Sequence, residues 1–220
     1  MKLRDFMPII ACLLLQSCEY NKIDSDAIKM KSNEAALYNT KLGLTYLKQG
    51  DRARAKRKLL KALDQAPNSP EVNASMAWFM EQCGEIEDAK KHYRKAIALA
   101  PGKGAQVNNY GAFLCRRGQY REANIYFLKA TKDTSYEQTA SAYENAGLCA
   151  ANSSDYKNAA KYFSEALKRD PARKQSLYEW VMIDVKLGQK DKAIARLQKY
   201  KTLTKSDPAL MALASKLDVK

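Results

Sequence analysis

Residues 108–123 read NNYGAFLCRRGQYREA; ASMAWFMEQCGEIEDA stands 34 residues earlier at 74–89, and TKLGLTYLKQGDRARA another 34 earlier at 40–55. In that alignment Gly43, Ala77 and Gly111 coincide, as do Gly50, Gly84 and Gly118, and Ala55, Ala89 and Ala123. Ala62, Ala96 and Ala130 keep the same step, and after a two-residue slip at Gln138-Thr139 the pattern restarts with Gly147, Ala159, Ala166 and Pro171. Self-similarity at a fixed period marks a stacked repeat. Gly50, Gly84, Gly118 and Gly188 stand where a first helix needs a left-handed end, and Pro67, Pro101 and Pro171 stop the second helices. With only nine glycines and six prolines in 220 residues, a turn-rich β sandwich is disfavoured.

This pattern resembles the tetratricopeptide repeat, an antiparallel helix pair per unit, over roughly residues 36–207. The expected fold is all-α: a right-handed superhelix of about five helix pairs with a C-terminal capping helix, about eleven helices in all. Units are placed at 36–69, 70–103, 104–137, 140–173 and 174–207, with the last helix at 208–217, inside a repeat domain of 32–220. Gly43, Ala77, Gly111 and Gly147 let the second helix approach closely, and Ala55, Ala89, Ala123, Ala159 and Ala193 meet them. Leu42, Tyr46 and Leu59, then Met76, Met80 and Tyr93, then Tyr110, Leu114 and Phe127, then Phe163, fill the space around that contact. In the fifth unit Val181 replaces the small residue and Tyr200 stands where alanine is expected, which predicts a splayed pair or a terminal cap.

Residues 1–17, MKLRDFMPIIACLLLQS, have the layout of an export signal: Lys2 and Arg4, an apolar run from Phe6 to Leu15, and a small residue before Cys18. That run is too short for a stable transmembrane helix, which needs about 20 residues. Leu15-Gln16-Ser17-Cys18 resembles a bacterial lipobox, which implies cleavage before Cys18 and a covalent lipid on it; the alternative is an ordinary buried helix with a chance thiol. Glu19, rather than aspartate, then points to the outer membrane, and 18–31 form a lipidated tether.

The 38 Lys+Arg against 24 Asp+Glu give +14, which suggests an anionic partner or surface. Basic residues concentrate on second helices: Arg52, Arg54, Lys56, Arg57, Lys58 and Lys61, then Lys90, Lys91, Arg94 and Lys95. They read either as a solvated face or as a surface attracted to anionic headgroups near Cys18. Nucleic acid is not an expected partner, because the aromatics fall at core spacing rather than among the lysines. A single histidine, His92, removes histidine-pair metal sites and triads, and no glycine-rich phosphate loop or GxSxG is present. Glu85, Glu87 and Asp88 open a second helix, where they complement its dipole. No catalytic residue, metal or cofactor is expected beyond the lipid on Cys18.

First helices of such repeats line the concave face. The expected partner-binding groove draws on Leu37, Thr40, Leu44 and Lys48, then Ala74, Trp78 and Gln82, then Asn108, Ala112 and Arg116, then Glu144 and Leu148. Trp78 is either the hot spot of that groove or a packing residue between units. Asn108 and Asn109 could hold a peptide backbone, although Asn109 fits helix packing equally. The lysine, asparagine and arginine clamp for a C-terminal carboxylate is absent, so an extended or helical peptide with apolar anchors fits better. Cys83, Cys115 and Cys149 lie on consecutive first helices in an exported, disulfide-permissive protein. Cys115 with Cys149, Cys83 with Cys115, or three separate thiols all remain open.

The third unit, Asn108 to Tyr120 followed by Glu122 and Ala123, behind a lipoprotein signal, resembles the type IV pilus biogenesis and stability lipoproteins of the PilW/PilF type. The resemblance spans essentially the whole chain. It implies an outer-membrane pilotin that binds the secretin subunit in the periplasm and promotes its localisation and assembly. A general periplasmic adaptor for cell-wall or outer-membrane assembly factors would share every feature except the third-unit wording.

Overall fold

The computed structural model describes residues 29–219, so the export signal and Cys18 lie outside the described residues. Every regular element among them is a helix: α1 at 29–48, α2 at Arg52–Gln65, α3 at Pro70–Gln82, α4 at Ile86–Leu99, α5 at Gly104–Arg116 and α6 at Tyr120–Ala130. They continue with α7 at Thr139–Asn152, α8 at Tyr156–Arg169, α9 at Lys174–Lys186, α10 at Lys190–Lys199, α11 at Lys201–Ser206 and α12 at Pro208–Lys216. The chain forms two compact units, one reaching Leu99 and one starting at Ala100.

In the first unit α1 pairs with α2 and α3 with α4. A β-carbon on Gly43 would lie 2.7 Å from Leu59 Cγ, so only glycine admits the second helix at this spacing. Ala55, Leu59, Met76 and Phe79 form the core there, and Ala36, Ala62, Ala66 and Val72 form a second cluster. Helix α1 is already formed at 29, before the expected end of the tether at 31. Its first turns are held by Ser32 Oγ donating to Gln65 O at 2.8 Å and by Ala36 in the core.

The second unit repeats the contact. A β-carbon on Gly111 would sit 3.0 Å from the Phe127 ring, and one on Gly147 would sit 2.6 Å from the Phe163 ring. The slip at Gln138-Thr139 lengthens the loop between α6 and α7. Asp133 there accepts from the Gly104 backbone N–H at 2.8 Å, and Tyr136 lies over Gly104 where a β-carbon would be 2.6 Å from the ring. This polar loop stands where proline ends the second helix in the first, second and fourth units. Cys115 is bonded to Cys149, with their Cα atoms 5.8 Å apart, and Cys83 is unpaired and partly buried in the first unit.

The fifth pair, α9 with α10, is a cap and is not splayed. Val181 is fully buried with Leu177, Ala193 and Leu197. The side chain opposite it shrinks from Phe163 to Leu197 as the small residue grows from Gly147 to Val181, which roughly conserves volume, the change cores tolerate best. At Tyr200 the helix breaks and restarts as α11, giving twelve helices among the described residues rather than eleven. Leu210, Leu213 and Leu217 of α12 and the segment after it then close the apolar end.

First helices end on Gly50, Gly84, Gly118 and Gly188, all at positive φ, but the fourth pair carries Ser154 there at φ 61°. Ser154→Gly removes that strain and raises stability by about 0.5 kcal/mol after the larger entropy of an unfolded glycine is subtracted. Gly147→Ala gains about 1 kcal/mol of helix propensity but drives a methyl group into Phe163, for a net loss of about 1–2 kcal/mol. Urea denaturation midpoints of the two variants should shift in opposite directions.

Candidate functional site

In the first unit, α1 turns Met30, Leu37 and Tyr38 outward as large exposed apolar side chains, with Leu37 47% exposed. Leu44 is partly buried and Lys48 is exposed, whereas Thr40 is buried and donates its hydroxyl to Ala36 O at 2.8 Å. On α3, Ala74 is buried and Gln82 is exposed. Trp78 is partly buried and packs against the cluster of Leu47, Leu59, Met76 and Phe79. It therefore contributes to the core as well as offering an edge to solvent.

An open cleft of about 620 Å³ runs between α1 and the turn from α2 to α3, with Asn33 and Leu37 on one wall and Pro67, Asn68 and Glu71 on the other. Its geometry is fixed by amides. Asn39 Nδ2 donates to Gln65 Oε1 at 2.9 Å, and the fully buried Asn73 donates from Nδ2 to Pro67 O at 2.9 Å and to Ser69 O at 2.8 Å. With that nitrogen engaged, Asn73 Oδ1 is the acceptor and His92 Nδ1 the donor across 3.1 Å. Burial, assisted by Lys95, holds the His92 pKa below the usual imidazole value. The one histidine thus braces the wall of a cleft.

In the second unit the expected groove positions mostly hold helices to one another. Asn108 is buried and accepts from Asn145 Nδ2 at 3.1 Å, joining α5 to α7. Glu144, with a side chain 16% exposed, accepts from Arg173 Nη1 at 3.0 Å and from Ser176 Oγ at 2.7 Å, joining α7 to α9 and the turn before it. Leu148 packs on Phe163 and Ile183. Ala112 is partly buried, and Asn109 and Arg116 are exposed. Buried Asp184 accepts from Arg196, whose guanidinium lies 3.6 Å from the Trp180 ring centroid, so α9 and α10 are clamped in the same way.

Exposed apolar surface in this unit lies where sequence reasoning did not place it. Met182 and Val185 stand outward on α9, with the partly buried Tyr178 one turn before them. The signal was available: Tyr178 and Met182 fall 34 residues after Glu144 and Leu148. A second cleft, of about 660 Å³, lies between α11 and α12, with Leu197, Met211 and Ala214 among its lining and Lys201 and Lys205 at its edge. No group of three or more metal-ligating side chains occurs among the described residues, and none of their helices is long and apolar enough to cross a membrane.

The sequence matches the tetratricopeptide repeat at 46–109 and again at 114–174. Together those matches cover more than half of the chain, which belongs to the tetratricopeptide-repeat family. Type IV pilus assembly protein PilF of Pseudomonas aeruginosa is 32% identical over 152 residues, which are 69% of this chain and 59% of that protein. The chain therefore spans less than two thirds of that relative's length. A solved structure of P. aeruginosa PilF superposes with a TM-score of 0.71 at 28% identity over 86% of both chains. PilW, a widely conserved type IV pilus biogenesis factor, gives 0.68 at 25% identity over 79% of both. Within the repeat family, the chain is homologous to PilF and structurally close to PilF and PilW.

His92 yields a pH prediction. Its pKa is lowered in the folded state, so between the folded value and about 6.5 the unfolded chain binds more protons. The His92 contribution to stability is whole above about pH 6.5 and is lost as pH falls through the folded pKa. His92→Gln should flatten the fall in denaturation midpoint between about pH 7 and pH 5.

Proposed function

We propose that the chain acts in type IV pilus biogenesis as an outer-membrane lipoprotein facing the periplasm. Acylated at Cys18, it binds a secretin subunit and promotes that subunit's outer-membrane localisation and multimerisation. The observation that carries this reading is the likeness to PilF over 86% of both chains, on a repeat scaffold where helix pairs present surface rather than reactive groups. The export signal, the lipobox-like Leu15-Gln16-Ser17-Cys18 and Glu19 support the address. The exposed Leu37 and Tyr38 beside the α1 cleft supply apolar anchors for a bound segment, and Lys48 supplies a cation on the same helix.

The chemistry asked of such a surface is complementarity alone. Covering an exposed leucine is worth roughly 25 cal/mol for each Å² of apolar area removed from water, so a few anchors suffice for a specific, reversible grip. Groups that would otherwise compete for a partner's backbone, such as Glu144 and Asn108, are already satisfied within the fold.

Secretin multimer abundance and membrane location in a deletion strain test the proposal. The wild-type gene should restore outer-membrane multimers. Cys18→Ala should leave them reduced or stranded in the inner membrane. Leu37→Asp, at an exposed site that leaves the core intact, should reduce multimers about tenfold by weakening capture while the acylated protein still fractionates with the outer membrane. Multimers unchanged by the deletion would make the chain an adaptor for cell-wall or outer-membrane assembly factors instead.

A further inference from the structure

Charge is unevenly placed along the chain. Residues 29–65 carry ten lysines and arginines against Glu34, Asp51 and Asp64, so half of the net +14 sits on α1, α2 and the turn between them. The excess is densest on α2. Arg54 pairs with Asp51, which also feels the charge of Arg57, but Arg52, Lys56, Arg57, Lys58 and Lys61 form no ion pair within 4 Å among the described residues. On other second helices some cations are paired within a turn, Lys91 with Asp88 and both Lys168 and Arg169 with Glu165, and none of those helices carries as many cations as α2.

The arrangement on α2 works against the helix. Arg52 and Lys56, Arg54 and Lys58, and Arg57 and Lys61 are like charges four residues apart, a spacing that repels across one turn. The N-cap Asp51 accepts from the Arg54 backbone N–H and is the one anion at the positive end of the helix dipole, while the first turn itself holds no acidic residue and carries Arg52 and Arg54. Leu60, 47% exposed, stands among them one turn from Lys56 and Arg57, while Ala55, Leu59 and Ala62 bury the opposite face. Such a face, largely self-repelling and with one apolar side chain in its middle, is relieved by contact with an anionic surface.

We propose that the outward face of α2 lies on the anionic headgroups of the membrane that anchors the chain. The described clefts are not lined by these cations, which suits a broad anionic plane better than an inserted acidic peptide. Acyl chains on Cys18 would hold the chain to the membrane, and the basic face would orient it there. The location rests on the reading of Cys18 as the anchor, whereas the surface itself can be tested without the lipid.

The test uses the chain from Glu19 onward, which bears no acyl group and contains every helix and buried cluster described above. It is sedimented with vesicles of about 30 mol% phosphatidylglycerol in phosphatidylethanolamine, and with neutral phosphatidylcholine vesicles. Binding should require the anionic lipid and fall at least about tenfold between roughly 50 and 300 mM salt. Replacing Arg52, Lys56, Arg57 and Lys61 with Gln should lower vesicle affinity at least about tenfold. The same replacement of the exposed Lys129, Lys132, Lys157 and Lys161 removes equal charge and should lower it less than about twofold. Circular dichroism should show both variants folded. Equal losses in the two variants, binding indifferent to lipid charge, or an α2 variant that keeps vesicle binding but loses affinity for the secretin would each overturn the proposal. None of these outcomes depends on whether Cys18 is acylated.

Discussion

Within the first, third and fourth helix pairs the backbones approach at a glycine that has no room for a β-carbon. Gly43 faces Leu59, Gly111 faces Phe127 and Gly147 faces Phe163, each with a would-be β-carbon contact at or below 3.0 Å. Because a large side chain is pressed against bare backbone, the two helices cannot slide or rotate without opening a void or a clash, and close-packed interiors resist both. That register decides which residues of the first helix point outward. The exposure of Leu37 and Tyr38 and the burial of Asn108 follow from it. The fifth pair solves the same problem with Val181 against Leu197, which is why it can depart from the sequence pattern without departing from the fold.

The two compact units use their polar residues differently. In the second, carboxylates and amides on first helices act as brackets: Glu144 to Arg173 and Ser176, Asn108 to Asn145, Asp184 to Arg196. Satisfied pairs of this kind fix a geometry and leave little capacity for a ligand. In the first unit the buried amides sit behind a cleft wall, and α1 and α2 carry exposed apolar side chains together with half of the chain's net charge.

The fold was legible because its determinants are local in sequence and strictly periodic. Gly43, Gly111 and Gly147 could be read as close contacts, Gly50 and its equivalents as left-handed helix ends, and Ala55 through Ala193 as buried, from spacing alone. What escaped was set by pairings that spacing does not encode. The break at Tyr200 depends on how α11 and α12 fold back over Leu197 and Leu210. Helical period placed Glu144 and Asn108 on a binding face, yet Arg173 and Asn145 had already claimed them from neighbouring helices. Tyr178 and Met182 stand at the repeat interval from Glu144 and Leu148, but Val181 between them breaks the small-residue pattern that marks a first helix.

Arrays of helix pairs unravel from their ends, since each pair is held only by its neighbours. The Cys115–Cys149 bond crosses from α5 to α7, joining the third pair to the fourth one repeat apart. Fraying that begins at the C-terminal cap can open α12, α11 and α9 with α10, but it meets a covalent staple before it can peel α7 away from α5. Within the second unit the amide protons of α5 and α7 are therefore protected together in the oxidised protein, and fraying of the C-terminal cap stops short of them.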